Sequence, residues 1–514
     1  MPVPHHASAG REQWLGLAVL ALPTLLVSMD MTILHLATPS LSAALRPSGQ
    51  ELLWMADIYG FLMAGALIPM GALGDRIGKR RLLLGGSVLF GLASVLAGFS
   101  GNAAMLIGAR AILGVAGTML LPSTLAMIRG LFLVPRQRSI AIGIWTTCFT
   151  LGGVIGPLVG GLLLQHFWWG SVFLVGVPVM AILLVLGPVF LPDIRGSEDH
   201  PVDGASVLLS MLAVLAIAYG VKHLAEVGAT ATTLAALLTG GVAGWTFLHR
   251  QGQLVHPLVD PGLFRKGAFG AALGANMMAL FAWVGASLLV AQYLQLVIGL
   301  TPMIAGLWSI PPAIACVAGC LAAPAVARHL AAKTVVTVAL LVVAAGFALL
   351  AALAPGLGLV AVISGMCVLS LGVATIITLG TDLILTTAPA DKAGAASAIS
   401  ETGAELGGAF GVAVLGSVGV AVYQAGVAVP EGIDADRGMA AKATLGGAVE
   451  LAAVLPGSSG AALLASARLA FERGLVLASA MGFCILLGTA ILFAWTNLRR
   501  SPSQAASRSK GVTK

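Results

Sequence analysis

Fourteen apolar runs, each near the length of a membrane-crossing helix, constrain this chain more than any other feature. A helix needs about 20 apolar residues to cross a hydrocarbon core of roughly 30 Å. The runs fall at 14–36, 52–72, 82–100, 103–127, 140–164, 169–192, 204–222, 229–248, 268–290, 302–325, 333–353, 356–383, 395–423 and 474–495. They must be helical, because an open strand leaves its backbone N–H and C=O groups unsatisfied in lipid. A soluble chain is excluded by composition. Only 9% of residues are charged and the mean hydropathy is +1.00, where a soluble domain carries roughly 25% charged residues. The expectation is an all-α multi-pass membrane protein.

The basic residues set the expected orientation. With the N-terminus in the cytoplasm, 20 of the 27 lysines and arginines fall on inside segments, as the positive-inside rule requires. The C-terminus is then also inside, which demands an even number of spans. The net charge of +7 does not indicate nucleic acid, because the basic residues sit in short loops and not on one soluble surface. The first run contains Asp30 and is longer than the apolar core of a signal peptide, so it reads as the first span. The five cysteines all lie in spans at irregular spacing, which argues against disulfides or a metal site. No phosphate-binding loop is present, because Lys79 is followed by Arg80 and no upstream glycine precedes it at the required spacing. No cofactor is expected.

Organisation follows from the loops. Residues 1–13 form a cytoplasmic N-terminus, 14–192 a six-helix bundle, and 193–203 an acidic linker. Residues 204–248 read as an inserted, lipid-facing hairpin without charges in its apolar interior, followed by a linker at 249–267. Residues 268–495 form a second six-helix bundle, with a long outer loop at 424–473 in which the stretch from Glu450 to Glu472 suits an amphipathic helix. Residues 496–514 form a basic tail.

Charges inside the spans are the candidate functional groups, because a carboxylate at the bilayer centre costs at least about 2.5 kcal/mol. Asp30 lies some six residues from the outer end of the first span, Asp57 six into the second, and Arg110 seven into the fourth. At 1.5 Å per residue all three sit ~9–10 Å below the outer surface. Two carboxylates and one guanidinium in a shared layer suit proton coupling: one acid is paired and the other exchanges a proton. The bland alternative for Asp30 is an interfacial residue near a helix end. Glu401 and Glu405 are four apart and share a helix face. They are either solvated at a late-starting helix or a buried acidic pair that binds organic cations in competition with protons. Trp54 and Tyr59 flank Asp57, and their rings could stack on a flat cation. Asp382 and His35 read as interfacial residues.

Two glycine-rich strings carry the family resemblance. Gly71-Ala-Leu-Gly-Asp75-Arg76-Ile-Gly78-Lys79-Arg80-Arg81 resembles the cytoplasmic-loop signature of the major facilitator superfamily. Gly78 permits a tight turn, and Asp75 among cations suits a charge network that holds one transporter state. Gly152-Gly-Val-Ile-Gly156-Pro157-Leu-Val-Gly160-Gly161 is a small-residue packing face with a proline kink, and it resembles the antiporter signature of drug-exporting major facilitators. With Glu51-Leu-Leu-Trp54-Met-Ala-Asp57-Ile-Tyr59, the whole chain resembles the fourteen-spanner drug:proton antiporter family, and within it the methyl viologen and quaternary ammonium exporters of the SmvA and QacA type.

The resemblance implies the major facilitator fold, two six-helix bundles plus an inserted two-helix hairpin, in a bacterial inner membrane. It implies exchange of protons for lipophilic cations. Asp30, Asp57 and Arg110 carry over as coupling residues, and Glu401 and Glu405 as cation-recognition residues. Asp75, Arg76, Gly78, Arg80, Gly152, Gly156, Pro157, Gly160 and Gly161 carry over as gating residues. The chain departs from the pattern in two places. The span from Pro302 to Pro324 lacks the acidic residue that some members use for divalent cations. The loop Ala327 to Lys333 lacks an acidic residue, so the cytoplasmic latch is expected to be one-sided. The expected partners are small cations, protons and the bilayer, with the protein acting as a monomer. Two rivals stand: a major facilitator that moves a metabolite such as an amino acid or siderophore, and a non-transporting membrane scaffold or sensor.

Overall fold

A computed structural model describes residues 9–498 apart from 46, 48, 194–202, 229, 256, 266, 353–357, 390–391, 431–432, 434 and 456–457. Most of the acidic linker and nearly all of the basic tail therefore lie outside the described residues, as do the side chains of His35 and Pro157. Among the described residues, fourteen helices are long and apolar enough to cross a membrane.

The helices of the first half are α1 (Arg11–Leu45), α2 (Gly49–Ile77), α3 (Lys79–Gly98), α4 (Ala103–Leu131), α5 (Pro135–His166), the short α6 (Ser171–Leu174) and α7 (Gly176–Phe190). The inserted hairpin is α8 (Gly204–Val227) and α9 (Ala231–Gln251), followed by the short α10 (Pro261–Arg265). The second half comprises α11 (Gly267–Gln292), α12 (Pro302–Leu307), α13 (Ile310–Val326), α14 (Ala332–Ala351), α15 (Gly358–Thr387), α16 (Ala393–Gly426), α17 (Ala435–Ala443), α18 (Leu445–Val454) and α19 (Ser458–Leu498). Side-chain caps start several of them: Asn102 accepts from the Met105 N–H at 2.8 Å, and Thr301 and Thr444 serve α12 and α18 in the same way.

The chain forms two compact units that do not follow its halves. The first contains residues 1–276 and 378–406; the second contains 277–377 and 407–514. The division cuts α11, α15 and α16, so the 378–406 segment packs with the first half of the chain.

In the first unit, α1 packs along α5 and α2 along α4. The glycine string explains the first pairing. A Cβ at Gly152 would collide with the Leu25 carbonyl, one at Gly156 with Thr32 Oγ1, and one at Gly160 would lie 2.6 Å from Ile33. These positions are four apart and so share a face. Gly161 does not belong to that face, because a Cβ there meets nothing. The α2–α4 pair is made close by Gly114, whose missing side chain leaves room for the Tyr59 backbone.

The hairpin is stitched at its base. Asp203 caps α8 through Ser206 and accepts from Arg250 Nε at 2.7 Å and Nη2 at 3.1 Å. Those hydrogen bonds, Arg250 first and Ser206 second, hold the Asp203 carboxyl well below the usual carboxylate range. Gln251 Nε2 donates to Ser206 Oγ at 2.7 Å. The hairpin lies against α2, where Leu215 fills the space over Gly65. Lys222, near the end of α8, forms an ion pair with Asp57 of α2.

In the second unit, α11 ends in a π-helical turn, Tyr293–Val297. Gly407 and Gly411 of α16 lie against the carbonyls of Met277 and Phe281 of α11, a close approach of the same kind as α5 on α1. The stretch 424–473 contains α17 and α18 and the start of α19. Tyr423 Oη donates to Ala441 O at 2.7 Å, and Arg468 Nε donates to Leu296 O at 3.3 Å. The last helix starts at Ser458, not near 474, because it runs through the polar stretch containing Arg468, Glu472 and Arg473 before becoming apolar.

Candidate functional site

Asp30 and Arg110 form the most shielded ion pair among the described residues. Nη1 lies 2.9 Å from Oδ2, with side chains 7% and 2% exposed. Arg110 is held from two further directions. Its Nε donates to the Met55 carbonyl at 3.1 Å, and its guanidinium lies 4.9 Å from the centre of the Tyr59 ring. The pair therefore ties the α1–α5 layer to the α2–α4 layer.

Tyr59 is fully buried, and Arg110 already covers its ring. That removes it as a stacking surface for a bound cation, the role its sequence position suggested. Its hydroxyl has no hydrogen-bond partner. Trp54, in contrast, is 39% exposed, with its ring 6.3 Å from Phe61.

Glu401 and Glu405 lie two and three turns into α16, which starts at Ala393. This overturns the alternative of a helix that begins after them. Both are half-buried, and neither carboxylate has an ion-pair or hydrogen-bond partner among the described residues. Asn276, which sequence reasoning missed, lies nearby. It is 2% exposed and donates to Thr381 Oγ1 at 3.2 Å and Ser400 Oγ at 3.4 Å, while its Oδ1 is unpartnered.

Asp57 does not join the Asp30–Arg110 pair. Although Met55, two residues earlier, contacts Arg110, the Asp57 side chain turns to Lys222 on the hairpin. The shared depth was legible in the sequence, but the facing was not, since residues two apart in a helix point in different directions.

The loop motif builds a latch. Gly78 caps α3 with a φ of 98°, a conformation glycine adopts without strain. Asp75 pairs with Lys79 at 3.0 Å and accepts the backbone N–H groups of Gly394 at 2.9 Å and Ala395 at 2.7 Å. A carboxylate on the first N–H groups of α16 also meets the positive end of that helix. Gly71 permits the approach, because a Cβ there would lie 2.7 Å from the Gly394 carbonyl. Arg76 is half-buried in the last turn of α2.

Arg80 is not part of this latch. It donates to Leu191 O at 3.1 Å and pairs with Asp193 at 3.2 Å, clamping the end of α7. Nor is the latch one-sided. Asp382 of α15 accepts from Arg138 Nε at 2.8 Å and Ser139 Oγ at 2.5 Å in the first turns of α5. Arg129 Nη1 donates to Pro389 O at 3.0 Å, and Lys392 pairs with Asp260 at 2.8 Å. Among the described residues no cluster suits a metal ion.

This helical architecture, with intramembrane charges and a carboxylate latch at the Gly78 turn, is that of a membrane transporter, and the family model described as Major Facilitator Superfamily matches residues 20–412. The chain belongs to that superfamily and is a transporter, not an enzyme. It is 42% identical over 477 residues to the "Multidrug efflux pump LfrA" of Mycolicibacterium smegmatis, covering 93% of this chain and 95% of that protein. It is 36% identical over 500 residues to the "Methyl viologen resistance protein SmvA" of Salmonella typhimurium, covering 95% and 99%. The crystal structure of the human organic anion transporter MFSD10 is similar at a TM-score of 0.61 and 14% identity, over 92% of this chain and 99% of that one. That likeness speaks to fold alone.

Proposed function

We propose that this chain is a proton-coupled multidrug exporter that carries lipophilic and quaternary ammonium cations outward across a bacterial inner membrane, with both termini in the cytoplasm. The names of the 42%- and 36%-identical relatives support drug efflux. The observation that carries the mechanism is the unpartnered acidic pair Glu401 and Glu405, set inside α16, beside a second intramembrane charge site, the buried Asp30–Arg110 pair.

Two ionised carboxylates without partners in a membrane helix are costly. Each is relieved in one of two ways, by a proton or by a bound cation, and these exclude one another. An organic cation entering from the cytoplasmic side displaces protons from Glu401 and Glu405. Trp54, half-exposed on α2, offers an aromatic face to a cation. A proton arriving from outside neutralises Asp30, and the Coulomb attraction that holds α1 to Arg110 is lost. Arg110 stays with α4, anchored to Met55 O and the Tyr59 ring. The α1–α5 pair, interlocked at Gly152, Gly156 and Gly160, moves as one body. The latch made by Asp75 and Asp382 holds the cytoplasmic ends together in one state and opens in the other. The electrical driving force is worth about 2.3 kcal/mol per charge per 100 mV.

The test is ethidium or methyl viologen transport in inverted membrane vesicles. Accumulation that a protonophore abolishes, and that Asp30→Asn and Glu401→Gln each eliminate, is the expected result. Uptake of a neutral or anionic solute with no response to cations would replace this reading with a metabolite carrier. Absence of any flux would replace it with a scaffold.

A further inference from the structure

We propose that Asn276 is a positioning residue for the acidic pair: it fixes the rotation of α16 against α11 and α15, and so holds Glu401 and Glu405 in the direction from which they receive a cation. The inference rests on the cation-binding reading above and deepens it, by adding a residue that acts through the helix and not on the cargo.

Asn276 lies on α11 and is 2% exposed. Its Nδ2 donates to Thr381 Oγ1 of α15 at 3.2 Å and to Ser400 Oγ of α16 at 3.4 Å. One side chain thus bonds two helices from a third. Gly380 of α15 makes room for it, because a Cβ there would collide with Asn276 Oδ1. Nearby hydroxyls bond within their own helices instead. Ser397 Oγ donates to Ala393 O at 2.8 Å, and Thr386 Oγ1 donates to Asp382 O at 2.8 Å.

The face of α16 that meets α11 is nearly bare of side chains. Ser400 meets Asn276, and at Gly403 a Cβ would lie 2.9 Å from Leu273 Cδ1. Further along the same helices, Gly407 and Gly411 lie against the Met277 and Phe281 carbonyls. Glycines allow so close an approach, but they offer no knob that resists rotation or sliding. A buried asparagine supplies the missing register, as one does at the seam of a coiled coil.

Register decides where the carboxylates point. At 3.6 residues per turn, Glu401 and Glu405 project roughly 100° and 140° around α16 from Ser400. Neither carboxylate is tied by a partner of its own among the described residues. Their direction therefore follows the rotation of the helix, and Asn276 grips that helix one residue before Glu401. Stability alone does not account for the node. Asn276 Oδ1 is buried without a partner, a penalty that an apolar side chain of similar shape would avoid.

The experiment uses the full-length protein in proteoliposomes. Transport is measured against ethidium concentration in wild type, Asn276→Leu, Asn276→Ala, Gly380→Ala and Asn276→Ala/Gly380→Ala, together with the melting temperature of each. Asn276→Leu should melt at or above the wild-type temperature. Its KM for ethidium should nevertheless rise roughly three- to tenfold, the range that loss of an interhelical hydrogen bond in a membrane corresponds to, and should change more than its Vmax. Gly380→Ala, which displaces the asparagine, should raise KM in the same way. In the Asn276→Ala background the same methyl has room, so Gly380→Ala should add nothing there. An unchanged KM in both asparagine variants overturns the proposal, whatever their melting temperatures. So does a Gly380→Ala effect of equal size with and without Asn276. Ethidium transport that survives Glu401→Gln overturns the cation-binding reading beneath the proposal, and does so independently of the Asn276 variants.

Discussion

Asp382 of α15 holds Arg138 of α5 at 2.8 Å, and Asp75 of α2 holds the N–H of Gly394 in α16 at 2.9 Å. One carboxylate belongs to the second half of the chain and grips the first turns of a first-half helix. The other belongs to the first half and grips the first turn of a second-half helix. The latch at this end is two-sided, although only one side carries a recognisable motif.

Asp382→Asn should loosen that latch without disturbing the Asp75 contacts. Leaving a charged partner unsatisfied at a partly shielded site costs about 1–3 kcal/mol. Hydrogen exchange in the first turns of α5 and the last turn of α15 should therefore speed up roughly 10- to 100-fold. Unchanged exchange there would mean that the pair is incidental.

The glycine face of α5 gives a sharp steric contrast. Gly156→Val would drive methyl groups into Thr32 and Met29 of α1, whereas Gly161→Ala places a methyl in open space. Overpacking costs about 1–3 kcal/mol, and more where backbone is struck. Gly156→Val should lower the melting temperature and abolish transport, and Gly161→Ala should do neither. Loss of stability and transport in both variants would contradict the assignment of the two positions to different faces.

Tyr59→Phe separates packing from chemistry. It keeps the ring under Arg110 and removes only a buried hydroxyl with no partner. Stability should be unchanged or higher, since an unsatisfied buried polar group costs about 1–3 kcal/mol. Transport should nevertheless fall at least tenfold, because the hydroxyl is an unpartnered polar group on the ring that Arg110, the partner of Asp30, covers. Full transport in this variant would remove Tyr59 from the coupling path.

The base of the hairpin has a defined pH sign. The Asp203 carboxyl is depressed by its bonds from Arg250 and Ser206. Its stabilising contribution is complete above the unfolded value of about 3.9 and is lost as pH falls through the folded value. Asp203→Asn should lower the melting temperature at neutral pH and make the difference from wild type shrink as pH drops below about 4. A constant difference down to pH 2 would show that the carboxylate charge is not involved.

The spans were legible because hydropathy reports membrane crossing directly, and the α5 glycine face because spacings of four repeat on a helix. Three things were not legible. Hydropathy does not register a helix that continues into water, so the amphipathic stretch through Arg468 and Glu472 was read apart from the last span, with which it is continuous in α19. Depth can be counted along a sequence but azimuth on a neighbouring helix cannot, so Asp57 was grouped with Arg110 when it faces Lys222. Partners from distant segments carry no local signature, which hid the roles of Asp382, Asn276 and Gly394. Arg80 shows the converse error, because a motif places the residue without saying which of two nearby helix ends it will clamp.

Proton release on cation binding tests the central claim most directly. Purified protein in weakly buffered detergent solution is mixed with a quaternary ammonium cation, and the pH is recorded while binding is followed in parallel. Wild type should release protons in proportion to bound cation, and Glu401→Gln/Glu405→Gln should release none. Saturable binding to wild type with no change in pH would contradict the exchange of protons for cations at this acidic pair.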